Sequence, residues 1–480
     1  MEFGAAAEII AHLPLHQPAE AETRLGQLLS EVLAHPPAPD QLFALLEYAR
    51  PSLHFVRASA VRHYHEHAPH LETVAEAHFQ RGLQLWQFVV DAYQRCADLN
   101  IAADAQAATL LHRCTMYIGM QIMEHYRAKR QVPESLWQQF NTSYAYAEAR
   151  GLARVALVEE LPDESKTPHI QALYIAHLLL EVAQPYSRNP TDLNLIWQWA
   201  DRWAHLARLG HPRIAADKIA FVVDLQGKRP LHPRIGGELP ASIRGLNTSA
   251  LIQALQKHLQ ELGKPDASEH LHLPTEGIAR QQRLLGQLIN SWALDALPRR
   301  FKRTPADEQI ELTSTFHGIY SVLAGAPVGG EQQAPATEAW RVIDHTPSGF
   351  RLTRDGDGLR IENGQLVALR PHDGGGYLLA QVQWLMREQS GQLLAGFAIL
   401  PGLPRPAAIF ADERLKGQIN RSIRAFFLPA LPALHSEASL VVPLGFHQAG
   451  KVIELDEGKF RLDELLQRGT DFERVSYQPL

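Results

Sequence analysis

Leu297-Pro298-Arg299-Arg300-Phe301-Lys302-Arg303 stands where the grammar of the chain changes. Before it the sequence reads as helix after helix; after it come short alternating runs separated by Gly, Asn and Asp. Four cationic side chains within five residues, directly behind a proline that cannot continue a helix, mark a junction between two structural classes. A charge run of this kind is ordinarily a solvated patch. A binding role needs a second motif to pair with it.

Upstream, ETRLGQLLSEVLAH sets Leu25, Leu28, Leu29 and Val32 at the three- and four-residue steps of an amphipathic helix. DQLFALLEYARPSLHFV repeats the pattern, with Pro51 expected to stop it. Further helices are expected over 72–98, 104–129, 134–151, 167–183 and 190–209. Successive helices with short breaks predict an all-α region of paired, solenoid-like helices over 1–210, the kind of layer that offers protein-interaction surface. Residues 211–296 read as an α/β connector. It has an apolar strand-like run at Ala220–Leu225, a helix ending at Leu262 and another over 275–296.

Downstream, alternation predicts strands near 307–314, 339–344, 349–354, 366–370, 377–386, 391–400 and 406–411, with a short helix at FHGIYSVLAG and an insert at 325–338. Strands at this spacing predict a small antiparallel barrel over 297–412. A β-rich extension, with a short helix near 462–467, follows over 413–480. The fold class is α+β multidomain.

Composition bounds the function. Of 480 residues, 45% are hydrophobic and 20% charged, a globular balance, and no stretch approaches eighteen apolar residues. The first residues lack the cationic start of a signal peptide, so a cytoplasmic protein is expected, not embedded in a membrane. A net charge of −6 argues against nucleic acid as a partner, because duplex binding needs an extended basic surface. Cys96 and Cys114 lack paired CxxC spacing and read as buried free thiols. The tract His63-Tyr64-His65-Glu66-His67, with His70, lacks the order of a zinc helix and reads as a surface cluster; no metal or cofactor is expected. Trp86, Tyr93, Tyr117, Trp199 and Trp203 fall in amphipathic patterns and read as core. No GxSxG, HExxH, Walker A or GxGxxG motif is present, so catalysis is not expected.

The second motif is Asp344-His345-Thr346-Pro347-Ser348-Gly349-Phe350-Arg351-Leu352. Arg299-x-x-x-Arg303 followed by Asp344-x-Thr346-x-x-Gly349 resembles the PilZ domain, the family of bacterial cyclic di-GMP receptors. Its motif is RxxxR ahead of a barrel and [Asp/Asn]-x-Ser-x-x-Gly on an early strand. Val382-Gln383-Trp384 and Gly396-Phe397 resemble the late strand pair of that barrel. The resemblance covers about 297–412, and departs from the family in Thr346 for Ser and in the longer separation of the two motifs. It implies cyclic di-GMP as ligand, held by Arg299, Arg300, Arg303, Asp344, Thr346 and Gly349. It also implies a role in type IV pilus twitching, other motility or biofilm formation. In that setting the helical region would meet pilus or motility machinery at the cell pole or inner membrane face.

The residue types suit that ligand. Guanidinium groups grip phosphate bidentately and donate to guanine O6 and N7. Asp344 can accept from guanine N1–H and the 2-amino group, a contact adenine cannot provide. Thr346 offers a hydroxyl near phosphate, and Gly349 lets a purine or backbone approach closely. A nucleotide that wraps the 297–304 segment onto the barrel would gate the partner surface of the helical region. The competing reading is a degenerate scaffold of the same fold that binds protein without nucleotide.

Overall fold

The computed structural model describes residues 2–67, 72–98, 104–157, 167–212, 221–233, 239–267, 274–293, 302–325, 336–372, 375–410, 422–455 and 458–480. They form two compact units, one of residues 1–185 and 190–297, the other of 186–189 and 298–480.

The first unit is built on helices α1 (Phe3–Ala11), α2 (Pro18–Ala34), α3 (Pro39–His67), α4 (Glu72–Asp98), α5 (Asp104–Arg127), α6 (Glu134–Ala149), α7 (Ile170–Val182) and α8 (Pro190–Trp203). The apolar stripe Leu25, Leu28, Leu29 and Val32 is buried as its spacing predicts. Pro51 does not stop its helix: α3 runs straight through it. The proline removes one backbone donor. However, Leu42, Leu45, Leu46 and Ala49 before it and Leu53, Val56 and Ala60 after it bury one continuous face, and that packing outweighs the lost hydrogen bond. Trp86, Tyr93, Tyr117 and Trp199 are core, and Cys96 and Cys114 are buried free thiols.

The helix expected to reach residue 209 ends at Trp203; Arg208–Gly210 instead forms strand β1. With β2 (Phe221–Asp224), β3 (His232–Pro233) and β4 (Ile243–Asn247) it makes a four-stranded sheet in the order β1-β4-β2-β3. Helices α9 (Ser249–Leu262) and α10 (Thr275–Trp292) follow. These residues share the core of the first unit. Trp292 is fully buried and donates from Nε1 to the Leu179 carbonyl at 2.8 Å, while its own carbonyl accepts from Thr248 Oγ1 at 2.6 Å.

The second unit carries β5 (Thr304–Pro305), β6 (Gln309–Ser314), α11 (Phe316–Ala324), β7 (Thr337–Thr346), β8 (Gly349–Arg354), β9 (Leu366–Pro371), β10 (Leu378–Arg387) and β11 (Leu393–Ile399). All pairings are antiparallel, in the order β5-β7-β6-β9-β10-β11-β8, and β7 also pairs β8. That last pairing closes the sheet into a barrel, with the two-residue β5 paired on one side, to β7. Leu312, Trp340, Val342, Leu352, Val367, Val382 and Phe397 fill the interior.

A second sheet, in the order β12-β13-β14-β17-β16-β15, uses β12 (Arg405–Ile409), β13 (Ile423–Leu428), β14 (Ser439–Pro443), β15 (Val452–Leu455), β16 (Gly458–Arg468) and β17 (Phe472–Pro479). A bridge between Phe410 and Glu454 joins its ends. Strand β12 therefore belongs to this second barrel, so the sequence division at 412 lies inside the second sheet. The helix expected near 462–467 is part of strand β16. Helix α11 buries Ile319 and Tyr320 in a core with Leu366 and Leu379 of the first barrel and Phe426, Leu428 and Phe472 of the second.

Candidate functional site

The site sits on the first barrel, where β5, β7, β8, β10 and β11 meet. Thr304 and Pro305 pair with His345 and Asp344, so the residue just before them, Arg303, is delivered beside Asp344. Its Nη1 donates to Asp344 Oδ1 at 3.1 Å and Oδ2 at 3.4 Å. The two sequence motifs thus meet through Arg303 and Asp344, forty-one residues apart in the chain. Arg299 and Arg300 lie outside the described residues.

Two β-bulges shape the cleft. On β7 the register against β8 shifts between Val342 and Asp344, so Val342 points into the barrel core while Asp344 faces Arg351. On β10 it shifts between Val382 and Trp384, so Gln383 and Trp384 both line the cleft. An extra residue in one strand re-aims the side chains beyond it, which is how a strand can feed the core and the site from adjacent positions.

The β7–β8 hairpin closes on Pro347-Ser348, with Pro at the position of a tight turn that its fixed φ suits. Thr346 Oγ1 accepts from Ser348 N at 3.3 Å and lies 3.4 Å from the Gly349 carbonyl, so this hydroxyl organises the turn. Gly349 has a backbone neighbour: a Cβ there would come within 2.2 Å of the Phe397 carbonyl on β11. Its bare Cα serves strand packing. Gly396 plays the same part for Trp384, whose indole Nε1 would lie 2.0 Å from a Cβ at that position.

Arg303, Asp344, Thr346, Ser348, Phe350, Gln383 and Trp384 surround a cavity of about 230 Å³. Its floor carries one buried carboxylate, its rim a half-exposed guanidinium and a half-exposed indole face. Such a set can hold a planar, hydrogen-bonding ring by stacking and by edge contacts, with an anionic group at the arginine. Arg351 and Gln383 stand within the quoted motifs but carry no binding role there, because a bulge cannot be counted from alternation. Among the described residues, no group of His, Cys, Asp and Glu is placed to hold a metal ion, and no helix is long and apolar enough to cross a membrane. His63 is exposed at the end of α3 and His70 lies outside the described residues.

Fold and site define an α+β protein in which a helical region precedes antiparallel β-barrels, the first bearing an arginine–carboxylate cleft. Two family models match in chain order: the N-terminal domain of the cyclic-di-GMP receptor FimW over residues 4–213, and the FimW C-terminal beta-barrel domain over 410–480. Together they span more than half of the chain, which belongs to that family of cyclic-di-GMP receptors. A curated relative, the cyclic-di-GMP receptor FimW of Pseudomonas aeruginosa (strain PAO1), is 22% identical, with 92% of this chain and 84% of the relative covered.

Proposed function

We propose that the chain is a cyclic di-GMP-binding effector without catalytic activity, its nucleotide site being the cleft on the first barrel. The observation that carries this reading is the Arg303–Asp344 pair on the wall of that cleft, where a phosphate- and guanine-binding cation lies beside a guanine-reading carboxylate. The family of the flanking domains supports the choice of ligand. In this reading Asp344 accepts from guanine N1–H and the 2-amino group. Arg303 turns to O6 and N7 or to phosphate, and Trp384 offers a stacking face. Arg299 and Arg300 add phosphate contacts, and Thr346 and Gly349 keep the hairpin that frames the cleft. The barrel is of the PilZ kind.

Calorimetric titration with cyclic di-GMP tests the site. Arg303→Ala and Asp344→Ala are each expected to weaken binding by about a hundredfold, the scale of losing a charge-assisted contact and stranding its partner. Wild-type protein that is folded and gives no heat would leave the scaffold reading standing.

We further propose that nucleotide binding is coupled to protein partners of the helical region, in the cytoplasmic control of type IV pilus twitching, other motility or biofilm formation. Neutralising Arg299, Arg300 and Arg303 would remove the mutual repulsion of the 297–304 segment, a local charge change of the sort that biases conformational equilibria. Small-angle scattering with and without nucleotide checks the coupling; identical dimensions at saturation would argue against it.

A further inference from the structure

Resting on the reading of the cleft as a guanine-nucleotide site, we propose that Arg351 is its positioning residue, fixing the plane of the Asp344 carboxylate from outside the cleft. Arg351 Nη2 lies 2.5 Å from Asp344 Oδ2, while Arg303 approaches Oδ1 from the cleft side. The carboxylate side chain is only 8% exposed, so a group facing it from behind decides how its two oxygens are presented. Arg303 lines the cavity; Arg351 does not.

The backbone is arranged for this contact. Asp344 and Arg351 are direct cross-strand partners only because the bulge at Ile343 shifts the register by one. Without it, continuing the Val342–Leu352 pairing would set Ile343 opposite Arg351 and turn Asp344 to the other face. On its other side Arg351 is paired with Gly396, over whose bare Cα the Trp384 indole lies. The buried Arg351 Nε donates to nothing among the described residues, so the Asp344 contact is what orients the guanidinium.

Guanine presents N1–H and the 2-amino group as two parallel donors, and a carboxylate reads both only when its oxygens lie side by side facing them. Once a ligand draws Arg303 toward O6, N7 or phosphate, Arg351 still holds Oδ2 and the carboxylate keeps its plane. The residue therefore sets selectivity for the 2-amino group more than total affinity.

The test compares cyclic di-GMP with cyclic di-IMP, which keeps N1–H and O6 but lacks the 2-amino group, on wild type, Arg351→Gln and Arg351→Lys. Wild type is expected to prefer the guanine ligand by about tenfold, one charge-assisted hydrogen bond per base read. Arg351→Gln is expected to weaken cyclic di-GMP by about tenfold while bringing the two ligands to near parity, and Arg351→Lys to recover part of both. The ratio does not depend on the fraction of folded protein. Wild-type preference in Arg351→Gln overturns the proposal, whether affinity stays unchanged or falls equally for both ligands, since equal loss marks a purely structural role. Wild type that binds neither ligand overturns the site reading itself, and with it this role.

Discussion

At the residue scale, the site separates into positions that chemistry makes readable and positions that only geometry reveals. Arg303 and Asp344 could be named from the chain because a guanidinium and a carboxylate in two ordered motifs carry an obvious reason to meet, and they do. Gln383 and Trp384 reach the cleft together through a bulge in their own strand, and Arg351 meets Asp344 through one in the facing strand; such shifts of one position leave no mark in an alternation pattern. Gly349 was legible as a place where something comes close; what comes close is the Phe397 carbonyl of β11. Gly349→Ala should therefore act first on stability. Backbone on both sides leaves no flexible side chain to yield, and the cost of forcing a methyl into such a contact is about 1–3 kcal/mol. Thermal unfolding checks this: a lowered melting temperature is expected even without nucleotide, and an unchanged one would show that the β8–β11 spacing is not tight.

At the element scale, the strands from β7 to β11 were readable within about two residues because each buries one face against a closed barrel and ends at a turn residue. Others were not, α3 and β16 among them. The stop at Pro51 was overridden by a buried stripe that continues on both sides of it. Strand β16 carries Leu462, Leu465 and Leu466 at helical steps, and register shifts between 462 and 465 and between 465 and 467 absorb that spacing into a strand. The buried ion cluster in the helices was likewise invisible, since its members are scattered along the chain. Arg57 on α3 pairs with Glu22 of α2 at 2.8 Å and Glu124 of α5 at 2.6 Å, and Trp86 of α4 donates to Glu124 at 3.3 Å. Gly82 of α4 makes room, because a Cβ there would lie 2.3 Å from the Arg57 guanidinium. Burial raises the pKa of Glu124, but the charge and hydrogen bonds of Arg57 outweigh it and hold it down at about 2. Without Arg57, Glu22 keeps among the described residues only the longer ion pair to Arg81 at 3.4 Å and Glu124 that to Arg127 at 3.6 Å, so Arg57→Ala is expected to cost about 3 kcal/mol. Urea unfolding followed by helical ellipticity measures it, and a loss under about 1 kcal/mol would mean that water reaches the cluster.

At the scale of the whole molecule, acid acts on the two units through different buried groups. The helical unit encloses His112 and His177, both fully buried. Burial, aided by the neighbouring Arg113 charge, lowers His112 from its ordinary value to about 3. Burial lowers His177 to about 4 against the carbonyls of Leu173 and Gly119, and the ring fits only because Gly119 has no side chain. A histidine with a depressed folded pKa is protonated more readily in the unfolded chain. Its stabilising contribution is therefore complete above about pH 6.5 and is lost as pH falls toward the folded value. At pH 5 each ring removes about 2 kcal/mol on that account. In the barrel unit Asp471, whose Oδ1 accepts from Leu366 N at 2.9 Å, is shifted the other way: burial raises its pKa, and falling pH favours its folded form. The helical unit should therefore be the acid-labile one. Urea titrations at about pH 7 and pH 5 are expected to move the midpoint of the helical signal to lower denaturant, while the β signal moves less. His112→Gln and His177→Gln should each flatten the pH dependence, because a glutamine has no proton to gain. Helical and β signals that shift together would overturn the assignment to the helical unit, and a dependence that survives both substitutions would place it in the unit's other depressed rings, His54 at about 3 and His125 at about 4, both lowered by burial.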